Sequence, residues 1–201
     1  FLSRLIDRSR RLRLGDGREQ NTDVGPLIHE AALQKVERYV DIGQTEGADL
    51  VCGGRRADGR GLEEGFFFEP TIFARVEPSF RIAQEEIFGP VLSVMRVASA
   101  DEAFAVNNGV RYGLSSSVYT RDVNVAMRAV NELETGITYV NAPTIGAEAH
   151  LPFGGVKETG NGHREGGWEV YHFYSETKVG YLDFSGTLQR AQIDTYEADA
   201  D

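Results

Sequence analysis

The chain has 201 residues, 41% of them hydrophobic, with 31 acidic against 21 basic side chains and a formal net charge of −10. That length buries a real core in one domain, or one domain plus an arm, and the acidic balance argues against nonspecific nucleic-acid binding, which needs a basic surface. No apolar run approaches the roughly 18 residues of a transmembrane helix, and a single cysteine excludes an intramolecular disulfide framework.

The opening segment, FLSRLIDRSRRLRLG, is too arginine-rich for a secretory signal. Asp7 and Asp16, with the spacing of Phe1, Leu5 and Ile6, favour a folded helix over a mitochondrial transit peptide, and the helix is expected to end near residue 14. Phe1 falls inside that pattern with no cap before it. This reads as a chain cut from something longer, or translated from a damaged or partial frame. Residues 15–26 are a polar loop rich in turn formers. From Pro26 to about Glu46, Ile28, Ala32, Leu33, Val36 and Val40 recur at helical spacing. Asp49–Cys52 reads as a strand stopped by Gly53 and Gly54, and residues 55–65 as a charged, glycine-rich loop. Phe66–Phe68 and Thr71–Phe73 read as extended segments around Pro70, whose missing N–H favours a sheet edge or a bend.

Val91–Val97 is expected to be a strand. Ser99 with Glu102 forms a capping box opening a helix to about Asn108, and Asn108-Gly109 turns the chain. Leu114–Tyr119 is the next strand. Asp122 caps a helix to Glu134 that carries Val123, Met127, Val130 and Leu133 on one face, and Gly136 sits just past its end. Ile137–Val140 completes a strand–helix–strand–helix–strand series, the pattern of a right-handed parallel unit with helices on its faces. Residues 141–163 form a loop long enough to be functional. Arg164–Phe173 is expected as a short helix, Lys178–Asp183 as a final strand, and 184–201 as a polar, acidic tail or arm.

Three basic residues, Lys35, Lys157 and Lys178, are lysines among the 21. Few lysines with many acids fits a protein living in concentrated salt; a GC-rich genome, which favours arginine codons, gives the same pattern. Cys52 sits in a strand, where neither a helix N-terminus nor a cation promotes thiolate formation, so it reads as inert. One unpaired thiol suits a reducing cytoplasm. The four histidines lack i,i+4 spacing and cysteine partners, so no metal site is expected.

The hexapeptide EEIFGP, Glu85 to Pro90, puts an acidic pair before an aromatic on a tight turn. A carboxylate there can accept two vicinal hydroxyls, as from a ribose; a solvated acidic turn is the bland alternative. Residues 81–90, RIAQEEIFGP, and 150–157, HLPFGGVK, resemble the C-terminal third of an NAD(P)-dependent aldehyde dehydrogenase. The resemblance runs in order from about Phe1 to Leu182. It implies an α/β fold: a parallel βαβαβ core of that family's catalytic domain over residues 1–177. A C-terminal oligomerisation strand and acidic tail follow over 178–201.

By the same resemblance Glu86 holds the nicotinamide ribose, Phe88 lies beside it, and Lys35 is either near that ribose or a surface lysine. Phe153 lines the aldehyde channel, and Asn141 begins the channel loop. The stretch from Asn141 to Phe153 is about one residue longer than in common relatives, which leaves contacts at Pro143, Thr144 and Ile145 open. Glu165 matches an acidic residue tied either to proton exit or to a structural ion pair. The family's nucleophilic cysteine, general-base glutamate and Rossmann-like domain match nothing in these 201 residues. Two readings follow. One is part of an oxidoreductase acting on a small-molecule aldehyde with NAD or NADP, completed by the missing N-terminal part or a partner chain and homo-oligomeric in its parent. The other is a non-catalytic remnant or interaction module using the family's oligomerisation surfaces.

Overall fold

The structure is a computed structural model, and it describes residues 1–59, 61–146 and 148–186. Helix α1, Leu2–Ser9, opens the chain. It is shorter than the sequence pattern implies, because Leu14 already bridges to Val24 across the polar loop. Helix α2, Glu30–Thr45, begins where the His29 ring nitrogen Nδ1 accepts from the Ala32 N–H at 3.0 Å. That cap satisfies a donor the first turn leaves open, and so fixes the start three residues past Pro26 at His29.

Strands β1, Asp49–Cys52, and β2, Thr71–Ala74, pair antiparallel, and β3, Val91–Ser93, joins β2 in parallel. The expectation that Pro70 marks an edge does not hold: β2 is the central strand. Pro70 stands just ahead of β2 and Pro90 just ahead of β3, and Thr71 N donates to Pro90 O at 2.8 Å. Each proline thus lies before the ladder needs its N–H. Between β2 and β3 runs the short helix α3, Arg81–Gln84. Against this sheet α2 buries Leu33, Val36, Tyr39 and Val40, which meet Phe68, Phe73, Ile82 and Ile87 in one cluster.

Helix α4, Ala100–Asn108, starts at Ser99, whose hydroxyl accepts from the Glu102 N–H at 3.1 Å. Glu102 reaches back to the Ala98 N–H at 2.6 Å, one residue earlier than a strict capping box. Next come β4, Tyr112–Gly113, and β5, Ser115–Val118. Helix α5, Val123–Glu132, is capped by Asp122 Oδ1 on Asn124 N at 2.8 Å. Strand β6, Ile137–Val140, returns parallel to β5, closing a βαβ unit. Strand β7, Val156–Lys157, pairs antiparallel with β4; nothing local in the sequence announces either two-residue strand.

The α/β class with parallel strands therefore stands, with one difference. Among the described residues β3 pairs with β2 and β5 with β6, so the three strands of the expected βαβαβ series fall in two sheets, not one. Helix α6 occupies Glu169–Tyr174 instead of Arg164–Phe173, because Gly166 and Gly167 take φ of 75° and 56°, outside helical geometry. No strand forms over Lys178–Asp183. A strand exists only against a ladder partner, and this chain offers it none among the described residues. Most of the expected tail, from 187 onward, lies outside the described residues.

Candidate functional site

The EEIFGP turn leaves α3 and lies across α2. Ile87 is its anchor, buried in the cluster with Val36 and Val40. Gly89 follows because nothing larger fits: a Cβ there would meet Val36 Cγ2 at 2.4 Å. Lys35, one residue before Val36, donates from Nζ to the Glu86 backbone carbonyl at 2.7 Å. One helical turn on, the Tyr39 hydroxyl donates to Glu85 Oε2 at 2.6 Å. Lys35, left open by the sequence, is thus tied to the motif in space.

The two glutamates are placed differently. Glu85 is forked by Arg81, Nε to Oε1 at 2.8 Å and Nη2 to Oε2 at 2.9 Å. Those bonds first, and the Tyr39 hydroxyl second, hold its carboxyl down at about 2. Glu85 in turn raises the Tyr39 phenol above its ordinary value. Glu86 is exposed, and among the described residues its carboxylate makes no hydrogen bond or ion pair. Phe88 sits at φ 57°, a region bulky side chains avoid, and is 76% exposed. The turn therefore presents one uncommitted carboxylate and one bare ring, both outward.

The second patch is the long loop after β6. Asn141 spends its amide on the turn into α5: Oδ1 accepts from Thr120 N, and Nδ2 donates to Thr120 O, both at 2.9 Å. The Tyr139 hydroxyl donates to the Gly146 carbonyl. Ile145, Tyr139, Pro143, Leu151 and Phe153 line an apolar cleft of about 280 Å³. Phe153 and Glu165 are bridged through their backbones, at 2.6 and 2.9 Å, and both also line a larger cleft of about 610 Å³ with Leu114, His163 and Phe173.

This loop is pinned from behind. Gly136 backs directly onto Gly154, where a Cβ would fall 1.7 Å from the carbonyl oxygen. Lys157 Nζ donates to Asn108 O at 2.7 Å and Val110 O at 3.1 Å, and pairs with Glu134 at 2.7 Å. Arg111 ion-pairs with Glu158 at 3.5 Å, and its charge adds a last, lesser part to the lowering of the Glu85 carboxyl. Sequence reasoning missed Tyr39, Glu85 and Arg81; the signal was Tyr39 lying i+4 from Lys35 on α2.

Cys52, the one thiol, is 8% exposed in β1. Among the described residues no group of three or more His, Cys, Asp or Glu side chains could hold a metal, and no helix is long and apolar enough to cross a membrane.

Known proteins match most of this chain. The family model for the aldehyde dehydrogenase family matches residues 1–179. Alpha-ketoglutarate semialdehyde dehydrogenase of Haloferax volcanii is 44% identical over 182 residues, 90% of this chain and 37% of that protein. Betaine aldehyde dehydrogenase of Brucella anthropi is 39% identical over 183 residues, 91% of this chain and 37% of that protein. The crystal structure of betaine aldehyde dehydrogenase from Staphylococcus aureus in complex with NAD+ superposes with a TM-score of 0.83 at 38% identity, covering 86% of this chain and 34% of that one. The chain thus spans little more than a third of the length of these relatives. It belongs to the aldehyde dehydrogenase family.

Proposed function

We propose that this chain supplies the ribose clamp and part of the aldehyde channel of an NAD(P)-dependent aldehyde dehydrogenase. The observation that carries the reading is the EEIFGP turn: a rigidly mounted Glu86 whose carboxylate is uncommitted, beside an outward ring at Phe88. A nicotinamide dinucleotide, when bound, accepts the hydride from the aldehyde carbon. Glu86 would accept hydrogen bonds from two vicinal ribose hydroxyls, and Phe88 would pack beside the same group. Lys35 holds the Glu86 carbonyl and so keeps the turn in place. The loop carrying Ile145 and Phe153 offers an apolar wall along which an aldehyde could approach. Asn141 fixes where that loop starts, and Glu165 borders the neighbouring cleft.

The thiolate step lies elsewhere. In the family reaction a cysteine adds to the aldehyde, hydride departs, and water releases the acid from the resulting thioester. Cys52 is buried in strand β1, beside a cleft that Arg10 and Arg55 also line, and it does not fall where the family resemblance puts the nucleophilic cysteine. The nucleophile must come from residues other than these 201. The parent enzyme is read as a homo-oligomer of the cytoplasm, which suits a lone unpaired thiol.

A second reading, an interaction module without catalysis, draws on one feature: the exposed apolar face of α5, with Val123, Met127 and Val130 all open to solvent. The test separates the two. Alone, the chain should form no NAD(P)H from a panel of aldehydes above a Cys52→Ala control. Joined to, or co-expressed with, a cofactor domain carrying a nucleophilic cysteine and a general base, it should become active. Glu86→Gln should then lower kcat/KM by about 1–3 kcal/mol. Activity from the chain alone, or wild-type kinetics in Glu86→Gln, would overturn the assignment, and no activity with any partner would favour the module.

A further inference from the structure

Among the described residues the carboxylate of the clamp residue Glu86 makes no hydrogen bond or ion pair, so whatever aims it acts through its neighbours. Those neighbours are fixed from both sides. Downstream, Ile87 is buried and Gly89 lies flat on Val36. Upstream, Glu85 receives three hydrogen bonds, one from the Tyr39 hydroxyl and two from the Arg81 fork. Arg81 is held in turn by its backbone N–H on Glu46 Oε2 at 2.9 Å. Its guanidinium stands 5.8 Å from the Tyr39 ring centre, and the Lys35 ammonium stands at the same distance. One tyrosine thus gathers both cations and the carboxylate next to the clamp.

The backbone between these anchors is under strain. Phe88 at φ 57° is a conformation that persists only where the surroundings over-determine it. The Arg81–Glu85 pair is partly solvent-facing, at 51% and 29% side-chain exposure, and such a pair contributes only modestly to fold stability. Its effect is therefore one of geometry: it removes the freedom by which residues 85–88 could relax and separate Glu86 from Phe88.

We propose that Tyr39 and Glu85 are positioning residues, which together with Arg81 brace the turn so that Glu86 and Phe88 face one ligand. The inference rests on the reading of Glu86 as a ribose clamp. It is tested with Tyr39→Phe, which removes one hydroxyl and keeps the buried ring. In the 201-residue chain, amide hydrogen exchange at Glu85 and Val91, whose N–H groups donate to Arg81 O and Gly89 O at the two ends of the turn, should quicken by about two- to tenfold, while exchange in β2 stays unchanged. In the enzyme completed with a cofactor domain, the KM for the dinucleotide should rise by about two- to tenfold, with the KM for aldehyde unmoved. A purely structural role would lower the active fraction, hence kcat, and leave both KM values alone.

Glu85→Ala should reproduce the effect in full. Glu85→Gln, which keeps an acceptor for Tyr39 but not the charge for Arg81, should give a smaller one; these variants also serve if Tyr39→Phe folds poorly. Unchanged exchange and unchanged KM in Tyr39→Phe and Glu85→Ala, alongside a raised KM in Glu86→Gln, would overturn the brace alone. An unchanged KM in Glu86→Gln would overturn the clamp and the brace with it.

Discussion

Helix α2 covers the sheet of β1, β2 and β3 with Leu33, Val36, Tyr39 and Val40, and at the centre Val36 and Phe73 have no exposed surface at all. Helix α5 lies beside the sheet of β5 and β6 and buries Ala129, while Val123, Met127 and Val130 remain 68%, 56% and 50% exposed. Both helices are amphipathic by sequence, and among the described residues only the first covers most of its apolar face. The difference teaches which part of the described structure closes a core on its own. A three-stranded sheet with a helix on it can close a core alone, whereas a two-stranded parallel sheet leaves apolar surface unmet. The EEIFGP turn sits on the closed half and inherits its rigidity. The 141–163 loop hangs from the open half and depends on pins such as Gly136 against Gly154.

The largest expected effect tests the closed half directly. Phe73→Ala removes a ring with no exposed surface from the middle of β2. It should cost about 3–5 kcal/mol in urea unfolding, enough to consume much of a domain's stability. A loss under about 1 kcal/mol would show that this region is no better closed than the other.

Much of this contrast was legible in the sequence, and the parts that were not have physical reasons. Asp49–Cys52 and Ile137–Val140 were read with their true ends, because a short apolar run beside glycine leaves little choice. The caps at Ser99 and Asp122 were read from side chains that bond within three residues. What escaped depends on partners far along the chain. Strand β7 exists only because β4 lies 44 or so residues earlier. The place of β2 at the sheet centre depends on β3, which a local proline rule cannot foresee. Glu86, Phe88 and Phe153 were proposed from a hexapeptide and a glycine-rich loop, whereas the Tyr39–Glu85 bond spans 46 positions and its one sequence signal was Tyr39 lying i+4 from Lys35. The Gly166-Gly167 pair was a signal available and passed over: it delays α6 to Glu169.

A smaller effect again belongs to the closed half. The Glu85 carboxyl is held at about 2, mainly by Arg81 and then by Tyr39. A carboxyl lowered in the folded state adds stability above its unfolded value, and that stability drains away as pH falls through the folded value. For Glu85 the window runs from about 4.5 down to about 2. The difference in urea midpoint between wild type and Glu85→Gln should therefore shrink steadily as pH falls through that window. Asp16, Asp23, Glu37 and Asp49 are also lowered by arginine partners and titrate in both proteins, so the difference isolates Glu85. A midpoint difference that does not change with pH would mean that the Arg81 fork is solvated away.

The smallest effect probes the open half. Met127→Gln exchanges two good helix formers of similar size on α5, so propensity stays level and the apolar face alone is altered. In the chain by itself, stability should change by no more than about 0.5 kcal/mol, since Met127 is more than half exposed. Hydrophobic-dye binding and self-association, measured by fluorescence and sedimentation, should both fall, because the substitution breaks the stripe running from Val123 to Val130. The same substitution in a completed enzyme sharpens the comparison. If α5 is covered by another segment or subunit there, Met127→Gln should cost more than about 1 kcal/mol of assembly stability, through the lost burial of an apolar side chain. If it costs nothing in either setting, α5 is an ordinary solvent face, and the two halves differ only in how much surface each happens to leave bare.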